Sequence, residues 1–92
     1  MANIKFSGSV SAQAQEQTVT INVVTPDGAT DKLLAQTKID GSFETTKQYK
    51  AGLYSATFNV DADTEYKATS FGPVNFNVKL VDRTITATIT VV

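Results

Sequence analysis

A chain of 92 residues with a formal charge of -1, no cysteine and no histidine has room for one modest hydrophobic core and lacks several kinds of chemistry from the outset. Without cysteine there is no disulfide scaffold, thiolate zinc site or thiol nucleophile, and without histidine the usual base beside a serine nucleophile is missing. Acids and bases are interspersed, so no basic field draws in nucleic acid or anionic lipid, and no apolar run reaches the length of a membrane span.

The opening "MANIKFSGSV" has no apolar stretch of the signal-peptide kind. The chain is therefore expected to be either an intracellular protein or a domain excised from a longer one. Ile4, Phe6, Gly8 and Val10 alternate with polar residues, which predicts a first half-buried strand. Val19, Ile21 and Val23 repeat the pattern, and "TPDGAT" (residues 25–30) follows with a fixed φ at Pro26 and a permissive one at Gly28. "DKLLAQTKI" (31–39) has adjacent leucines, Leu33 and Leu34, that would also suit a helical turn; it is read as a strand because Asp40-Gly41 closes it. Both Asp-Gly pairs are hairpin signals.

Tyr54, Ala56, Phe58 and Val60 mark the next strand, opened by Gly52. A weaker strand around Tyr66 to Ser70 is set off by Gly72-Pro73 from a stronger one at Val74, Phe76, Val78 and Leu80. The alternation resumes in Ile85, Ala87, Ile89 and Val91, against Thr84, Thr86, Thr88 and Thr90. Fourteen threonines favour a pleated surface over a helix, because a branched Cβ is stiff in a helix and at ease on a sheet. Seven or eight short strands at turn-marked intervals predict an all-β fold, an antiparallel two-sheet sandwich in a single domain. Its expected core is Phe6, Val10, Val19, Ile21, Val23, Phe43, Tyr54, Phe58, Val60, Phe76, Val78, Ile85 and Ile89.

The succession "GSVSA", "QTVTINVVTPDGAT", "TKIDGSFETT", "AGLYSATFNVDADTEYKATS" and "VNFNVK" resembles the immunoglobulin-like repeats of bacterial and archaeal surface proteins. Those repeats carry a PDG-type turn, a DG-x-F hairpin, a G-x-Y strand and a D-A-x-x-Y turn. Carboxypeptidase regulatory-like domains share the DG-x-F and G-x-Y pieces and are a close second. The resemblance runs from Ile4 to about Lys79. It implies an immunoglobulin-like sandwich and a structural or adhesive role beside neighbouring domains of a longer, surface-exposed or secreted chain. Residues 81–92 lie beyond the usual repeat, as an extra terminal strand or as the linker to a next repeat.

No G-x-S-x-G elbow, phosphate-cradling glycine loop or H-E-x-x-H motif occurs, so the chain is expected not to be an enzyme and to need no cofactor. Three surfaces invite a ligand instead. Asp61, Asp63 and Glu65 stand two apart, and with backbone carbonyls they would supply oxygens for calcium; the simpler reading is that the aspartates turn the chain, since their side chains accept backbone N–H bonds. Tyr49, beside Lys47 and Lys50, is the best exposed aromatic for stacking a sugar. The stretch "TITATITVV" (84–92), uncharged and free of proline, suits β-addition to another protein at a sheet edge, although an interior strand paired on both sides is the default.

Overall fold

The computed structural model describes residues 1–11, 17–62, 67–79 and 86–91. These form six antiparallel strands and no helix: β1 (Ala2–Ser9), β2 (Thr18–Val24), β3 (Thr30–Gln36), β4 (Ser42–Tyr49), β5 (Gly52–Val60) and β6 (Thr69–Val78). No helix among the described residues is long and apolar enough to cross a membrane. One sheet pairs β1 with β4, and the other runs β3-β2-β5-β6. The all-β expectation holds, and the described residues account for six strands where seven or eight were expected.

β2 sits at the centre of its sheet because its inward residues Val19, Ile21 and Val23 are fully buried and β-branched. Its partners β3 and β5 align against it without a shift, Ile21 lying between Leu33 and Phe58. The turn from β2 to β3 is the Pro26-Asp27-Gly28 hairpin read from the sequence. Its closure is local: Gly28 N–H donates to the Thr25 carbonyl at 2.9 Å, Thr25 N–H to Ala29 at 2.9 Å, and the Thr25 hydroxyl to the Asp27 carboxylate.

The second Asp-Gly pair turns the chain but makes no hairpin between the flanking strands. Gly41 takes φ 85°, a left-handed value that glycine adopts without steric cost, and Lys38 and Ser42 close the turn at 2.8 Å. β3 and β4 nevertheless belong to different sheets. The turn is a corner at which the chain leaves one sheet for the other, anchored by Thr37, whose N–H and hydroxyl both bond to Gln17, at 2.8 and 2.7 Å.

Gly72-Pro73 also acts differently from the expectation. It separates no strands: β6 runs through it as one edge strand, and the ladder to β5 shifts there, Ala56 opposing Val74 while Phe58 opposes Phe71. Proline donates no hydrogen bond, which an edge strand tolerates at a bulge. The extra residue moves Phe71 onto the same face as Val74 and Phe76. That phase change was invisible to a strict two-residue count.

The two sheets share one aromatic core. Phe6 on β1 meets Phe76 at 5.7 Å, Phe58 at 6.4 Å and Tyr49 at 6.4 Å between ring centroids, all edge to face. Tyr54 stacks on Phe76 at 5.3 Å with 12° between planes, and Phe43 tilts against Phe58 at 5.9 Å. Phe6, Val19, Ile21, Val23, Phe43, Tyr54 and Val78 are buried as expected, with Val10, Phe58, Val60 and Phe76 packed at the margin. Ile89 is the exception at 94% exposure, and Ile85 lies outside the described residues. Residues 86–91 are exposed and belong to no strand, so they are not the interior strand the alternation suggested. A two-residue period specifies a face to bury but not which edge will accept it.

Candidate functional site

Two concave surfaces lie at opposite ends of the strands. The first is at the end where Tyr49 opposes Ala2 and Gly52 opposes Val78. Tyr49 is not the exposed platform the sequence suggested; it is 6% exposed. Its position follows from the step of two from Phe43 through Thr45 and Lys47, which puts Tyr49 on the inward face of β4. The neighbouring lysines obscured that phase, although it was present in the sequence.

The buried ring of Tyr49 packs against Tyr54 at 4.9 Å, and its hydroxyl donates to Asp31 Oδ2 at 2.8 Å. Lys47 Nζ donates to the same oxygen at 2.6 Å and lies 5.9 Å from the Tyr49 ring centre. Asp31 belongs to β3 and both donors to β4, so one carboxylate ties the two sheets together at the end of these strands away from the corner that connects them. The Lys47 bond, then the Tyr49 bond, hold Asp31 below the usual carboxylate range. Burial first, and the bond to Asp31 second, push the Tyr49 hydroxyl above the ordinary tyrosine range. A shallow cavity of about 380 Å³ beside this clasp includes Pro26, Asp27 and Lys50 in its lining. With its ring turned inward, Tyr49 offers no face for a sugar to stack on.

The second surface is a groove of about 740 Å³ between β1 and β6. These two strands have no partner on their outer edges among the described residues. The groove's floor is Val19, Phe43, Phe58 and Val60, and its walls are Ser7 to Val10 on one side and Thr69 to Phe71 with Val74 on the other. Gly8 has no side chain to cover the Phe43 ring; a Cβ there would stand 2.9 Å from Cζ of Phe43. On the β6 wall Phe71 is 69% exposed. Such an apolar trough between two unpaired strand edges provides both ladder partners and side-chain pockets for a further strand.

Asp61 lies exposed at the end of β5, on the rim of this groove. Asp63 and Glu65 lie outside the described residues, as does Tyr66. No cluster of three metal-ligating side chains is present among the described residues. The groove was not legible in the sequence, because it arises from the order of strands in space. Compared with known proteins, the chain matches no family model, no curated protein and no solved structure.

Proposed function

We propose that the chain is an immunoglobulin-like β-sandwich acting as a non-catalytic structural or adhesive module, a spacer or repeat unit of a cell-surface or secreted protein. The observation that carries this reading is the interlocked aromatic core, in which rings from β1, β4, β5 and β6 join two antiparallel sheets. Side chains that interdigitate in this way resist sliding of one sheet over the other. The result is a stiff body of defined length, with loops at its two ends available for display. On this reading the open side between β1 and β6 is where a seventh strand of the sandwich belongs.

The location is tested by digesting intact source cells with a protease and probing with an antiserum to the chain. Loss of signal from intact cells is expected, and protection until the cells are lysed would count against a surface or secreted module. Calcium held by Asp61, Asp63 and Glu65 is the second reading, favoured by the exposure of Asp61 at the end of β5. A ligand bound by the native state alone raises the melting temperature. An unchanged melt at millimolar calcium removes the ion from consideration.

A further inference from the structure

We propose that the segment Thr86–Val91 of one copy inserts as a strand into the groove between β1 and β6 of a second copy, so that copies join end to end. Each partner in this contact is incomplete alone. The segment carries Ala87, Ile89 and Val91 on one side and Thr86, Thr88 and Thr90 on the other, with no charge. Ile89 and Val91 are 94% and 93% exposed, and the segment belongs to no strand. The groove presents the complement: edges of β1 and β6 that pair with no other strand among the described residues, over a floor containing Phe43 and Phe58.

Inserted with its apolar side down, the segment covers the exposed Phe71 ring and the groove floor and leaves its threonines on the outer face, as the period of two requires. Its main chain meets the outer edges of β1 and β6, which have no partner among the described residues and so offer N–H and C=O groups to a further strand. Among the described residues the charged groups lining the groove are Asp61 and Lys67, and the segment itself brings no charge to bury.

The direction of assembly follows from the register. β6 delivers the chain at Val78, opposite Gly52, whereas the groove opens by Val60 and Thr69, at the other end of the same ladder. Donor and acceptor at opposite ends make a heterologous contact, which repeats into an open chain of copies unless a rotation closes it into a ring.

The test is light scattering coupled to size exclusion across the micromolar to millimolar range, on the full chain and on variants at exposed positions. The full chain is expected to grow with concentration from one copy, 9.9 kDa, to a ladder of higher masses. Ile89→Asp disables the donor and Phe71→Asp the acceptor, so each alone stays at one copy, with circular dichroism confirming that both remain folded. Mixed in equal amounts, the two variants have one working donor and one working acceptor between them and should stop at a pair. Thr90→Asp, on the outward side, should still assemble. Any of four results overturns the inference: a full chain of one copy at every concentration, as pairing of the segment with its own molecule would give; assembly that survives Phe71→Asp, as stacking of the segments on each other would give; no pair in the mixture; or loss of assembly in Thr90→Asp equal to that in Ile89→Asp.

Discussion

Replacing Phe6 by alanine tests whether the two sheets form one core. Phe6 is 5% exposed and touches rings on three strands, Tyr49 of its own sheet and Phe58 and Phe76 of the other. Truncating a buried phenylalanine costs about 3 to 5 kcal/mol, from lost transfer energy and the cavity left behind. The site cannot collapse easily, because the surrounding rings are held by both sheets, so a value of about 4 kcal/mol is expected. A domain of this size has roughly 5 to 14 kcal/mol in total. The variant should therefore fold but melt about 16 to 32 °C lower, at about 4 to 8 °C per kcal/mol. Phe71→Ala serves as the comparison: its ring is 69% exposed, and its loss should cost about 1 kcal/mol or less. Urea unfolding followed by circular dichroism gives both values, with m unchanged if the cost lies in the folded state. A Phe6→Ala loss below about 1.5 kcal/mol, or one no larger than that of Phe71→Ala, would show that the sheets do not share a core.

Gly72→Ala should destabilise by about 1 to 3 kcal/mol, because φ is +114° and a Cβ would come 2.8 Å from the Ala56 carbonyl oxygen; a thermal melt equal to wild type would refute the bulge geometry. Asp31 is held below its ordinary value by Lys47 and Tyr49, so its contribution is present above the unfolded value near 4 and is lost as pH falls below it. In Asp31→Asn, melting temperature should accordingly fall less steeply than in wild type between about pH 4 and 2, while stability at neutral pH drops by roughly 1 kcal/mol. Tyr49 has the opposite sign: its folded value is raised, so stability is full below the unfolded value and declines as pH rises past about 10. Absorbance near 295 nm should then show one tyrosine ionising together with unfolding, and not in Tyr49→Phe.

The alternation of Val19, Ile21 and Val23, or of Tyr54, Ala56 and Phe58, determined the strands and their inward faces from the sequence alone, because side-chain direction along a strand has a strict local period. The Pro26-Asp27-Gly28 hairpin was equally local, since its bonds span four residues. Other features depended on partners distant in sequence. Asp40-Gly41 reads as a hairpin, yet whether the strands beside it pair or part is decided by which sheet has a free edge. Tyr49 looked exposed among lysines until Asp31 and Tyr54, 18 and 5 residues away in the chain, closed over it. Gly72-Pro73 marked an interruption, and only the ladder to β5 turned that interruption into a bulge that brings Phe71 to the groove. The segment Thr86–Val91 has all the local marks of a strand, but a strand forms only where an edge accepts it. Backbone hydrogen bonds in a sheet are made between segments, and local sequence does not name the partner.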